Sequence, residues 1–318
     1  MPAHAPRFHT SILIGLGALG CAGEPGQPFI AAYQDGKVAA LSFTFDDGHR
    51  THLATAALLD QHGLRATFYP VTSWTSDARD AGDRSKITWP EWKDLAARGH
   101  EIGNHSASHP DLRKCDDAAL ERECVASANL ITAKVGIAPR SFAYPFCKSD
   151  DRSRRLVLAN HLAARGYFPL YENDFPAAKA NAQVDDAIAK GAWMTWLSHG
   201  INDVVFNEHL THVAEKAKSA GLWVAPFGLV AAYRQERDQA KLTVIERTAN
   251  SIRLTLTLSP EMPATRWNIP LTVTIPTRSP LSEATVNDPV PPATARIDGD
   301  RIQVTLVPDG RTVSVSWR

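Results

Sequence analysis

Short apolar runs that stop abruptly at polar residues alternate with longer stretches of helical period along the first three-quarters of the chain. Residues 37–45 predict a first strand, which ends in Asp46-Asp47-Gly48. Leu53, Ala56, Ala57 and Leu58, with Gly63 as a stop, predict an amphipathic helix. Residues 66–71 predict a second strand, and residues 74–86 are polar and predict a surface excursion. A helix start follows at Thr88-Trp89-Pro90-Glu91, with threonine as cap, proline in the first turn and glutamate three residues after the cap. The alternation continues with strands at 101–103, 141–146, 193–198 and 221–226, separated by helices at 118–135, 156–165, 185–190, 208–220 and 229–237. Alternating strands and helices predict an α/β unit whose chemistry sits at the carboxyl ends of its strands. From Lys241 the pattern changes to alternation, with hairpin signals at Asp298-Gly299-Asp300 and Asp309-Gly310-Arg311. The division expected is therefore a leader at 1–23, an α/β domain at 24–238 and a small all-β domain at 241–318.

Composition narrows the class. The 318 residues are 44% hydrophobic, enough for a sizeable core, and 34 Lys and Arg balance 34 Asp and Glu. That balance argues against nucleic acid or an anionic membrane as partner and for a neutral one. Arg7, the apolar residues 12–19 and the small residues around Gly20-Cys21-Ala22-Gly23 predict an export signal, with a lipid anchor on Cys21 as the alternative outcome. Cys115, Cys124 and Cys147 remain, an odd number that allows one disulfide at most. In a helix, Cys115 and Cys124 stand about 13 Å apart along the axis, so Cys147 with one of them is the pairing expected.

The chemistry-bearing residues fall at the predicted strand ends. Adjacent residues on an extended chain point opposite ways, so Asp46 and Asp47 can do different jobs, one taking a proton and the other holding a metal. His105 and His109 are spaced to ligate one ion, and together with a carboxylate they make a three-ligand site with room for water, the arrangement of a catalytic metal. His199, at the end of 193–198, is a candidate general acid. Each has a plainer reading: an Asp-Gly turn, a solvated histidine pair among twelve histidines, a structural histidine.

Taken together, Thr44-Phe45-Asp46-Asp47-Gly48, the pair His105 and His109, and Leu197-Ser198-His199 resemble the first, second and fifth motifs of the polysaccharide deacetylase family, also called the NodB homology domain or carbohydrate esterase family 4. The resemblance covers residues 37–237. It implies a distorted (β/α) barrel followed by a sandwich-like all-β domain. It also implies a metal-dependent, exported hydrolase that removes N- or O-acetyl groups from a polysaccharide or oligosaccharide. Asp46 would be the base, and Asp47, His105 and His109 would hold one divalent ion, zinc by preference over cobalt or nickel. His199 would be the acid, Leu197 would line the acyl pocket, and Phe146 and Tyr144 would stand on the substrate and oxyanion side. The third motif departs from the pattern. Ala143 of Phe142-Ala143-Tyr144-Pro145-Phe146-Cys147 stands where an arginine that contacts the base is common, and Arg140 is the nearest replacement. The fourth motif is not assignable, with Asp174 the candidate partner for His199. An amine leaving group needs a strong acid, so these gaps tilt the expectation towards acetyl esters. Trp74 and Trp89 are candidate stacking surfaces for sugar rings. Two other classes stay open, a catalytically silent carbohydrate-binding envelope protein and a single-metal phosphoesterase.

Overall fold

The computed structural model describes residues 26–166, 169–219, 221–259, 268–287 and 294–318; the leader and Cys21 lie outside the described residues. In chain order the elements are β1 (Phe29–Ile30), β2 (Ala39–Asp46), α1 (His52–Gln61), β3 (Thr67–Tyr69), α2 (Trp89–Ala97), β4 (Glu101–Ile102) and α3 (Asp117–Leu120), which continues through a π-helical segment (Glu121–Ala126) into α4 (Ser127–Val135). There follow β5 (Ser141–Ala143), α5 (Asp151–Asn160), β6 (Ala163–Arg165), α6 (Ala177–Lys190), β7 (Trp193–Ser198), α7 (Asp203–Ser219), β8 (Leu222–Val224) and α8 (Phe227–Gln239). The remainder is all β: β9 (Ala240–Arg247), β10 (Ser251–Leu258), β11 (Leu271–Pro276), β12 (Ala284–Asn287), β13 (Ala295–Asp298), β14 (Arg301–Leu306) and β15 (Asp309–Trp317).

Every residue of β2 is buried, which is what a strand covered on both faces requires. It pairs in parallel with β7 along one edge; its other edge takes β8 at Ala39–Leu41 and β3 at Thr44–Asp46. β3 pairs in parallel with β4, and β5 with β6. Two single parallel bridges extend this sheet at both ends, Asn104 with Phe142 towards β5 and β6 and Leu197 with Leu170 beyond β7. The result is a distorted (β/α) barrel whose strand ends gather Asp46, Asn104, Ala143, Arg165 and Ser198 on one face. Phe43, Phe45, Phe68, Trp92, Trp196 and Phe206 pack the space between the strands and the surrounding helices.

One expectation fails usefully. Residues 156–165 do not form a helix to their end: a capping box at Asp150 and Ser153 starts α5 earlier, it stops at Asn160, and Ala163–Arg165 pairs with β5 instead. Alanine favours a helix locally, and the strand-strand register overrides it. The three described cysteines are all free, so the expected disulfide is absent. Trp89 is buried in the core and offers no stacking face. No described helix is long and apolar enough to cross a membrane.

The C-terminal strands form two four-stranded antiparallel sheets, β1-β11-β14-β13 and β12-β15-β10-β9. Phe29–Ile30, ahead of the barrel in the chain, is the edge strand of the first. The two regions share a core: Phe227, Ala231, Ala232 and Tyr233 of α8 pack with Ile252, Leu254, Leu271 and Val273. Tyr233 Oη donates to Ala31 O at 3.0 Å and accepts from Thr272 N at 3.3 Å. Beside it the buried Glu236 carboxylate accepts from Ile269 N at 2.8 Å.

Burial pushes the Glu236 carboxyl up to about 7, against the pull of the Ile269 and Asn268 amides and of Arg140. A carboxyl raised by folding binds its proton more tightly in the native than in the unfolded chain, so stability falls as pH climbs from about 4.5 through 7. Glu236→Gln mimics the protonated acid. Its unfolding free energy from urea titration should match that of the parent at pH 5 and exceed it at pH 8, by on the order of 1–3 kcal/mol; equal values at both pH values contradict the assignment.

Candidate active site

The Asp46-Asp47-Gly48 turn is sharp. Asp47 takes φ 71° and Gly48 φ 62°, and a Cβ at Gly48 would stand 2.8 Å from the Trp92 ring, so glycine is required there. The turn sends the two carboxylates apart, as their adjacency predicts. Asp47 Oδ1 lies 3.6 Å from His105 Nε2 and 3.7 Å from His109 Nε2. The three donor atoms fall within 4.8 Å of one another, and Asp47 Oδ1 is buried with no hydrogen-bond partner. An orphaned buried carboxylate oxygen facing two imidazole nitrogens is the donor set of a single divalent cation.

The histidines are aimed by their surroundings. His105 Nδ1–H donates to Ala143 O at 2.8 Å, which leaves the Nε2 lone pair towards Asp47. Burial holds both imidazoles below their usual pKa against the pull of the neighbouring carboxylates, keeping them neutral as ligation demands. The loop between them is pinned from two sides. Asn104 Oδ1 accepts from Ser106 N at 3.0 Å, while the buried Glu123 of the π-helical segment accepts from Ser108 N and Ser108 Oγ, both at 2.7 Å. Asp47 itself is pushed up by burial, but His49, His105 and His109 bring its carboxyl well below the ordinary range.

Asp46 faces a different partner. It is 4% exposed, and its Oδ1 accepts from Nη2 of Arg165, which is 1% exposed. Burial raises the Asp46 carboxyl, and the Arg165 guanidinium with His105 more than reverses this, so it stays ionised. Arg165 is the charge that Ala143 lacks: β5 and β6 pair with Ala143 opposite Arg165, so the guanidinium enters from the neighbouring strand. Arg140 lies beside Glu101 and Glu236 instead. The signal was present in the sequence as Ala163-Ala164-Arg165-Gly166, hidden by the helical reading of that segment.

His199 Nδ1 stands 2.8 Å from Glu172 Oε1, and His52 Nε2–H donates to the His199 carbonyl at 2.9 Å. Glu172, not Asp174, is therefore the carboxylate on His199. Phe146 is 57% exposed at φ 57°, its ring 4.6 Å from that of His109, and its N–H has no acceptor among the described residues. Tyr144 is placed otherwise than expected: it packs with Leu112, Leu120 and Phe142, and its N–H is taken by Arg165 O at 3.0 Å, so neither group turns to the cluster. Leu197 is buried at the β7 end. The Trp74 ring is 5.5 Å from that of His109. Two open grooves flank the cluster, one of about 740 Å³ walled by Ser73–Asp77, Ala81–Asp83 and Lys86 and one of about 650 Å³ walled by Pro169–Pro176, Lys179 and Gln183.

Residues 33–164 match the family model described as polysaccharide deacetylase, a span that includes Asp46, Asp47, His105 and His109 and ends before Arg165, Glu172 and His199. A gellan lyase from a Bacillus species is 24% identical over 92% of this chain and 13% of its own length. A chitooligosaccharide deacetylase from Rhizobium leguminosarum bv. trifolii is 37% identical over 30% of this chain and 40% of its own. A peptidoglycan-N-acetylglucosamine deacetylase from Bacillus cereus is 28% identical over 34% and 36%. The chain thus spans less than half the length of each of these relatives. Among solved structures, the peptidoglycan deacetylase PdaC from Bacillus subtilis superposes with a TM-score of 0.47 at 20% identity, over 63% of this chain and 93% of that one.

Glu123→Ala removes both hydrogen bonds that hold Ser108 in the loop that carries His109 and leaves the Asn104 anchor in place. Hydrogen bonds to a charged group contribute about 1.5–3 kcal/mol, so a loss of ~2 kcal/mol and faster hydrogen exchange at the Ser108 amide are expected. Unchanged exchange at Ser108 contradicts the pinning.

Proposed function

We propose that this chain, whose residues 33–164 match the polysaccharide deacetylase family model, is a metal-dependent hydrolase that removes acetyl groups from a carbohydrate. The observation that carries the reading is the separation of two adjacent carboxylates, Asp47 into a cluster with His105 and His109 and Asp46 against a buried arginine. A divalent ion held by Asp47, His105 and His109, zinc by preference for imidazole and carboxylate, would polarise the acetyl carbonyl and make bound water acidic. Asp46 takes the water's proton through Oδ2, since Oδ1 is held by Arg165. The Phe146 N–H, exposed beside His109, is available to the developing oxyanion. His199 gives its proton to the leaving group from Nε2 while Glu172 holds Nδ1, which fixes the tautomer. Leu197 closes the acyl side.

The expected preference for esters rested on a missing arginine and an unassigned carboxylate. Arg165 and Glu172 fill both places, so the machinery is as fit for an amide as for an ester. The two grooves on either side of the cluster and the Trp74 ring favour an extended sugar chain over a monosaccharide. Residues 241–318 act as a brace on α8 and supply no catalytic group; export to the cell envelope would bring the enzyme to such polymers.

Elemental analysis and acetate release separate the roles. Asp47→Ala, His105→Ala and His109→Ala should lose metal and activity together, whereas Asp46→Asn should keep the metal and lose about 100-fold or more in rate. Chitin oligomers and acetylated xylan, assayed side by side, should both release acetate. A His105→Ala variant with full metal occupancy contradicts the site, and release from xylan alone contradicts the amide competence.

A further inference from the structure

The segment read from the sequence as a surface excursion returns to the barrel mouth as a clamp on the Asp47 turn. Arg50 N donates to Ser85 O at 2.7 Å, Ile87 N donates to Gly48 O at 3.0 Å, and His49 and Lys86 face each other as an antiparallel bridge. Inside this clamp Lys86 Nζ donates to Asp47 O at 3.1 Å and lies 3.5 Å from His49 Nδ1 and 4.4 Å over the Trp74 ring. An ammonium only donates, so His49 Nδ1 is the acceptor and the imidazole proton sits on Nε2. That nitrogen faces Asp47 Oδ2 across 3.7 Å, within ion-pair range but longer than a hydrogen bond. The two oxygens of Asp47 thus face opposite ways, Oδ1 to His105 and His109 and Oδ2 to His49.

We infer that His49 and Lys86 are positioning residues for the metal carboxylate: Lys86 sets the tautomer of His49, and His49 holds Asp47 Oδ2 so that Oδ1 alone meets the ion. This rests on the reading of Asp47, His105 and His109 as a one-ion site. A carboxylate held in this way cannot swing to chelate with both oxygens, which keeps positions on the ion open for water and substrate. Lys86 also ties the backbone of Asp47, at its left-handed φ, to the loop that walls the groove beside Trp74.

The test is zinc affinity, measured at fixed pH by competition of the metal-free protein with a chelating dye. Wild type should take up one zinc. His49→Ala should bind it about 10–100-fold more weakly, with the thermal midpoint of the metal-free protein unchanged. His49→Gln, whose amide can donate to Asp47 Oδ2, should recover most of the affinity, and Lys86→Met should lose less than His49→Ala. Wild-type affinity in His49→Ala overturns the inference. Equal losses in His49→Ala and His49→Gln overturn it too, because His49 would then be a ligand itself. A wild type that binds no zinc overturns the one-ion reading instead.

Discussion

A carboxylate and a guanidinium, both almost wholly withdrawn from water, set the terms for the barrel mouth. Asp46 and Arg165 could not be buried singly, since an unpaired buried charge costs several kcal/mol; together they offset that cost, and the pairing keeps Asp46 ionised. Arg165 also lies 5.1 Å from the Tyr69 ring, and its Nε is buried without a partner, so Asp46 is its main source of compensation. The pair ties β6 to the end of β2 across the barrel. The bridge between Asn104 and Phe142, which carries the run of strands on from β4 to β5 and β6, helps bring two strands so distant in sequence together.

From that constraint the division of labour follows. With Asp46 Oδ1 occupied, only Oδ2 is left for the water of the proposed reaction, and it lies 3.8 Å from His105 Nε2, on the side of the donor cluster. Asp47, turned away by its positive φ, meets the histidines, and the tautomer of His105 is set by a backbone carbonyl rather than by chance. The supporting residues come from a strand end, a loop and a helix start: Ala143 O of β5 on His105, Glu172 of the segment before α6 on His199, and His52 of α1 on the His199 carbonyl. The β domain contributes by covering α8, whose inner end carries the Thr67 and Glu101 contacts through Phe227 and Gly228.

What could be read from the sequence was local. Asp46-Asp47-Gly48 and His199 stand at the carboxyl ends of apolar strands, so their placement needed only the strand to be recognised, and His105 with His109 was legible from the spacing of the pair in the loop after Ile102. Arg165 and Glu172 were not legible, because their roles depend on the parallel register of β5 with β6 and on the chain's course from β6 to β7. Neither leaves a periodic trace. The β domain announced itself by alternation, yet the membership of Phe29–Ile30 in its first sheet did not, since a two-residue edge strand is too short to carry a pattern. The cysteines were misjudged for a related reason: counting restricts pairings but says nothing of distance.

The proposed catalytic role of Asp46 depends on Arg165 doing what an arginine at position 143 would do. The direct measurement is acetate release by Arg165→Met and by Arg165→Met with Ala143→Arg, alongside wild type and with zinc content checked in each. Residues 143 and 165 are opposite one another in register, so an arginine at 143 can fill the space that the shorter, uncharged side chain leaves at 165. The single variant is expected to keep its metal and lose most of its rate, and the double variant to regain a large part of it. Wild-type rate in the single variant would show that Asp46 needs no arginine and would contradict this account of the site.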